Sequence, residues 1–220
     1  MLGRVADLPL SLPAASSRLL AAALDREGKI VRAIEALGPI SNRDVVVVGG
    51  GPAEIERLTA TGARVSSVDS IPGDLAESLP DGSADVIVTA WSGFRGVGQA
   101  ALAEADRILR AGGRLLVIHD YGRDDVSRLR GDLPEYGAWS RRNGPYLTNG
   151  FRVRVLHCFW TFDTIDEAQA FLVEAFGADG EALGAGLKRP RLTWNVAVYH
   201  RTKGGEAKGA DAAAGSTDGA

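Results

Sequence analysis

The stretch from Asp44 to Asp69, DVVVVGGGPAEIERLTATGARVSSVD, limits the fold more than any other. Val45 to Val48 is a short, wholly apolar, β-branched run, the pattern of a strand buried on both faces of a parallel sheet. Gly49, Gly50 and Gly51 follow at once, so the chain can turn sharply and a ligand can approach bare backbone. Pro52 suits the first turn of a helix, where its missing N–H is no loss. Ile55 and Leu58 share one face of that helix, and Gly62 ends it. Ala63 to Val68 reads as a second strand, closed by Asp69. Strand, glycine turn, helix, strand, acid is the plan of a nucleoside-binding βαβ unit. The acid lies twenty positions after Gly49, where a carboxylate can accept hydrogen bonds from ribose hydroxyls.

The chain of 220 residues is expected to hold one domain, with helices in residues 1–38, an α/β core in 39–202 and a disordered tail in 203–220. The tail is Gly, Ala, Lys, Asp and Ser without an apolar period. A net charge of −3 gives no electrostatic case for binding nucleic acid. The single cysteine, Cys158, excludes an internal disulfide and suits a reducing compartment. Asp7, Pro9 and Pro13 interrupt the N-terminal segment, which reads as neither signal peptide nor membrane span. A cytoplasmic location with no membrane partner is the expectation.

Helices are predicted over Ala14 to Leu24, started by Ser16 or Ser17, and over Lys29 to Leu37, either packed on the sheet or forming a lid. After Asp69 the chain runs quickly to the next strand, Asp85 to Ala90, so a third strand and its helix read as shortened or absent. Ala100 to Leu109 reads as a helix, Ala111 to Gly113 as its stop and Arg114 to His119 as a core strand. Residues 120 to 150 form a long polar and aromatic connection with a helix-capable piece from Asp124 to Arg130, and a connection this long is more often functional than a plain link. Phe151 to Phe162 reads as a strand, with His157 and Cys158 packed inside it. Ile165 to Phe176 reads as a helix capped by Asp163 or Thr164, and Leu192 to His200 as the last strand.

Three pieces in order, VVVVGGGPA, DLAESLPDGSADVIVTAWS and EADRILRAGGRLLVIHD, resemble the class I S-adenosylmethionine-dependent methyltransferases over roughly Lys29 to Arg201. The resemblance implies a Rossmann-like doubly wound α/β sheet, shortened after its second strand, whose last strand inserts antiparallel between neighbours. It implies S-adenosylmethionine as cofactor and a small-molecule acceptor. Gly49, Gly50 and Gly51 would give backbone access to the cofactor. Asp69, with Ser70 beside it, would take the ribose hydroxyls. Asp74 would sit near the adenine amino group with Leu75 against the ring, and Trp91 would lie beside the cofactor at the entry to the substrate pocket. The plain alternatives are a turn cap at Asp74 and a core aromatic at Trp91.

Methyl transfer is an in-line displacement that asks mainly for positioning, and a base is needed only if the nucleophile starts protonated. His119 and Tyr121, at the carboxyl end of a core strand, are the catalytic candidates; a lone histidine there is more often structural. No His/Cys/Asp/Glu spacing makes a metal site. The basic runs Arg141–Arg142 and Lys188–Arg189–Arg191 read as solvated surface. Val47 stands where the family usually has an acid, and Ala53 where it has the loop's last glycine. These departures favour a second reading, a methyltransferase-like binding or interaction module without catalysis. A nicotinamide dinucleotide dehydrogenase is disfavoured, because Glu54 stands where its third glycine belongs.

Overall fold

The computed structural model describes residues 12–49, 52–68, 79–91, 94, 97–131 and 134–204. Its element order is α1 (Ala14–Ala23), α2 (Lys29–Leu37), β1 (Asp44–Val48), α3 (Pro52–Thr59), β2 (Arg64–Val68), β3 (Ala84–Ala90), α4 (Gln99–Ile108), β4 (Leu109–Asp120), α5 (Asp125–Leu129), α6 (Pro134–Trp139), α7 (Pro145–Thr148), β5 (Arg152–Thr161), α8 (Ile165–Ala185) and β6 (Arg191–Thr202). The strands form one sheet in the order β2-β1-β3-β4-β6-β5. The first four are mutually parallel. β6 runs antiparallel between β4 and β5, the sheet plan that the resemblance implies. Among the described residues no strand lies outside β2.

Alternation along β1 explains why a wholly apolar run was needed. Successive side chains of a strand point to opposite faces. Val45 and Val47 enter the core that α1, α2, α3 and α8 cover, while Val46 and Val48 enter the core beneath α4 and the aromatic connection. All four are buried. β2, by contrast, leaves Ser66 and Ser67 exposed, as fits the outermost strand among the described residues.

Several expectations shift on inspection. Helix α1 starts at Ala14 with Pro13 as its N-cap residue and no side-chain cap; Ser16 lies inside it and donates its hydroxyl to Glu174 instead. Both N-terminal helices pack on the sheet: Leu20, Ala33 and Ile34 belong to its first core. The segment read as a stop, Ala111 to Gly113, falls within β4. Ala84 pairs with Leu109 and Val86 with Arg114, and the extra residues of β4 are absorbed there by a register shift. Helix α8 runs past Phe176 but is broken where sequence reasoning stopped it, at Gly177 with φ 58° and ψ −132°. Its second half folds back so closely that a Cβ on Gly180 would stand 2.0 Å from the Leu172 carbonyl oxygen. Gln169 Nε2 donates to the Gly184 carbonyl at 2.9 Å and ties the two halves. Thr164 caps this helix, accepting from the Glu167 amide at 3.1 Å.

Lys203, expected to begin the tail, is anchored: its amide donates to the Gly113 carbonyl at 2.9 Å and its Nζ to the Leu109 carbonyl at 2.7 Å. No helix of the described residues is long and apolar enough to cross a membrane.

Candidate functional site

In an open α/β sheet, ligands bind beyond the carboxyl ends of the strands, where the strand order reverses. Here the chain goes outward from β1 to β2 and then returns to the other side of β1 to form β3. The crevice between the ends of β1 and β3 is therefore the place to look. Val48 of β1 pairs with Thr89 of β3, so the turn after β1 faces the exit of β3. Gly49 makes that turn with φ 66°, a conformation other residues rarely adopt. Its amide donates to the Val68 carbonyl at 2.8 Å, which draws the exits of β1 and β2 together. Gly50, Gly51, Asp69, Ser70, Asp74 and Leu75 lie outside the described residues. Of the predicted cofactor residues, Gly49 and Trp91 thus lie at this edge.

Trp91 follows β3 directly. Its backbone is left-handed, with φ 52°, and Phe94 and Val97 share that state at 60° and 56°. Left-handed non-glycine residues cost energy and persist only where their surroundings hold them. The Trp91 amide extends the ladder by donating to the Ile118 carbonyl at 2.9 Å. Its ring is buried and stacks on Trp194 of β6, with centroids 5.6 Å apart and planes 20° from parallel.

His119 and Asp120 end β4 and, being adjacent in a strand, point to opposite faces. His119 is fully buried among aromatic rings of the connection, with centroids 5.0 Å from Trp139 and 6.5 Å from Tyr146. Tyr146 in turn donates its hydroxyl to the Phe94 carbonyl at 2.7 Å, fastening the connection to the loop after β3. Tyr121 is half-buried; its amide donates to the Asn195 carbonyl at 2.8 Å, and the Arg123 guanidinium lies 6.0 Å from its ring centre. His119 and Tyr121 therefore share the β4 exit, but His119 sits inside a packed aromatic layer.

The other face holds what sequence reasoning missed. Asp120 Oδ1 accepts from both indoles, Trp91 Nε1 at 3.0 Å and Trp194 Nε1 at 2.8 Å. Its Oδ2 forms an ion pair with Arg130 Nη1 at 2.5 Å, with side-chain exposures of 0% for Asp120 and 4% for Arg130. Local chemistry aims that arginine. Asp124 caps α5 by accepting from the Ser127 amide at 2.7 Å, and its second oxygen accepts from the Asn195 amide of β6 at 2.9 Å. Arg130 follows the helix so placed, donates to the Tyr136 hydroxyl at 2.9 Å and lies 4.8 Å from that ring's centre. An acid at a core strand end was the one visible signal; the arginine that meets it gave none.

Glu54 was also passed over as a group with chemistry of its own. It stands half-buried in the first turn of α3, next to the glycine turn. Burial pushes its carboxyl up to about 7, against a smaller opposing pull from Arg57. Of the pair expected to be packed within β5, Cys158 is buried, and burial with Asp25 nearby pushes its thiol up to about 12. His157 is exposed, its Nδ1 2.8 Å from Asn195 Oδ1. Among the described residues no three His, Cys, Asp or Glu side chains group as metal ligands.

No protein-family model and no curated protein matches the chain. Solved structures similar to it include an S-adenosylmethionine-dependent methyltransferase from Aquifex aeolicus, 16% identical over 86% of this chain and 97% of that one, with a TM-score of 0.49. Another is a methyltransferase of the same dependence from Thiobacillus denitrificans in complex with S-adenosyl-L-homocysteine, 16% identical over 86% of this chain and 98% of that one, at 0.42. The functional reading rests on the chain's own residues.

Proposed function

We propose that this protein is an S-adenosylmethionine-dependent methyltransferase acting on a small-molecule acceptor. The observation that carries the reading is the reversal of strand order at β1/β3, with a left-handed glycine at the end of a doubly buried strand. The three ordered motifs support it, and so does the antiparallel β6 between β4 and β5. In the reading, the turn from Gly49 to Gly51 lets the cofactor's methionine end approach the backbone. Asp69 and Ser70 take the ribose, Asp74 and Leu75 the adenine, and Trp91 walls the crevice. His119 is the group that could accept a proton at the β4 exit, with Tyr121 beside it as the second catalytic candidate. Methyl transfer would move the methyl group from the sulfonium to the acceptor's nucleophilic atom and leave S-adenosylhomocysteine.

Calorimetric titration with S-adenosylmethionine, S-adenosylhomocysteine and NAD tests this. Binding of the first two and not of NAD is expected. Asp69→Ala should remove charge-assisted hydrogen bonds worth on the order of 1.5–3 kcal/mol each. With solvent replacing part of that, the affinity should fall at least about tenfold, with an unchanged melt. An unchanged affinity with a lowered melting temperature would make Asp69 a turn cap. No binding by wild type at millimolar concentration would end the cofactor reading.

A second reading keeps the crevice and drops the chemistry. Val47, which stands where the family usually has an acid, is fully buried in the core, and His119 is packed among aromatic rings. Incubation with methyl-labelled S-adenosylmethionine and a small-molecule extract separates the two: label appears in an acceptor only under the first.

A further inference from the structure

We propose that Asp120 is the positioning residue for Trp91, and that Arg130 is what holds Asp120 in place; the consequence for binding rests on the cofactor reading above. Trp91 leaves β3 in a left-handed conformation, one residue past the position opposite Gly49, so its ring must be held by something other than backbone preference. Among the described residues, the stack on Trp194 and the hydrogen bond from its Nε1 to Asp120 Oδ1 orient it within the core. The same oxygen takes the Trp194 indole, so one carboxylate oxygen sets the position of both rings.

A carboxylate buried this deeply needs a cation, and the connection supplies it. Arg130 reaches Oδ2 from the end of α5, itself pinned to β6 through Asp124 and Asn195. A buried ion pair is a poor source of stability, because desolvation consumes most of the attraction. What it supplies here is direction. With Oδ2 committed to Arg130, Oδ1 is left facing the indoles. The arrangement also joins the long connection to the end of β3: a displacement of α5 or of Tyr136, which touches Arg130, reaches Trp91 through two side chains, Arg130 and Asp120.

Two double variants test this, alike in charge and different in one acceptor oxygen. Asp120→Leu with Arg130→Met removes the pair and the acceptor. Asp120→Asn with Arg130→Met removes the pair and keeps the amide oxygen for the indoles. The probes are the near-ultraviolet circular dichroism of the ligand-free protein, which reads the ordered indole stack, and titration with S-adenosylhomocysteine well below each melting temperature. The leucine variant should lose most of the indole bands and bind at least about tenfold more weakly. The asparagine variant, which keeps the acceptor but lacks the arginine that directs it, should fall between that and wild type, and wild-type behaviour would overturn the part given to Arg130. Equal behaviour of the two, in either direction, would overturn the proposal. If the leucine variant fails to fold, Trp91→Phe takes its place, keeping one aromatic ring on Trp194 while removing the indole N–H with the five-membered ring that carries it. The same loss of affinity is expected, and wild-type affinity would overturn the proposal. Wild type that binds no S-adenosylhomocysteine would sink the cofactor reading, while the spectra of the two double variants still judge the role of Asp120.

Discussion

At the scale of single residues, Glu54 carries the clearest titration. Its carboxyl, raised from 4.5 to about 7, keeps a proton in the folded chain that the unfolded chain has already lost. At Glu54 the native state thus binds more protons between those values, and this group's contribution to stability falls as the pH rises through that window. Glu54→Gln should flatten the fall in unfolding free energy between pH 4.5 and 7 and raise the melting temperature at pH 8. His200, whose pKa burial and then Arg152 lower, works in the opposite direction, so the quantity to measure is the difference between variant and wild type by denaturant unfolding across pH. Equal slopes would show that Glu54 is solvated. Asp44 behaves as the usual acid: hydrogen bonds from Arg64 and then Arg110 lower its carboxyl to about 2. Its contribution is present above pH 3.8 and lost as the pH falls toward 2.

At the scale of elements, α8 makes the sharpest demand on its sequence. A methyl group on Gly180 would stand inside the Leu172 carbonyl, so Gly180→Ala should lower the unfolding free energy by about 1–3 kcal/mol, the range for overpacking. Gly186→Ala, whose Cβ would meet the Leu183 carbonyl oxygen at an ordinary 3.5 Å, should stay within about 0.5 kcal/mol. Denaturant melts of the two decide it. This element also shows where sequence reading ends. Strand β1, helix α3 and the α8 N-terminus were legible, because valine runs, Pro at a helix start and a Thr cap act within a few residues. The return of α8 after Gly177 was not, because only the fold shows that Gly180 meets Leu172. The site divides in the same way. Gly49, Trp91, His119 and Tyr121 stand at the strand ends where they were expected, and the roles given to them belong to the proposal. The Asp120–Arg130 pair joins a strand end to a loop arginine and two distant tryptophans, and no spacing announces such a meeting. His119 drew attention as a residue type, while its aromatic surroundings come from α6 and α7, whose docking the sequence pattern did not show.

At the scale of the whole molecule, one sheet joins strands from the early and the late parts of the described chain. β6 joins β4 to β5, and Lys203 just beyond it is hydrogen-bonded to Leu109 and Gly113 in the first half of β4. Residues 205–220 carry no apolar side chain larger than alanine, so burial cannot offset their ordering entropy. Truncation after Gly204 should leave the melting temperature within about a degree of wild type. Truncation after Thr202 should lower it measurably, since two hydrogen bonds worth about 0.5–1.5 kcal/mol each are removed. Indistinguishable melts would show that Lys203 belongs to the tail.

The antiparallel insertion has a consequence for biosynthesis. β5 has no ladder partner other than β6 among the described strands, apart from an isolated bridge between Trp160 and Leu24. Yet β6 is made last. A ribosome adding about 5–20 residues per second would leave Arg152–Thr161 without its neighbour for roughly 2–8 seconds, with both edges of the strand open to other nascent chains. The arginines at 152 and 154, exposed in the finished protein, repel a second copy of this strand during that interval, which is how edge strands are kept from pairing with strangers.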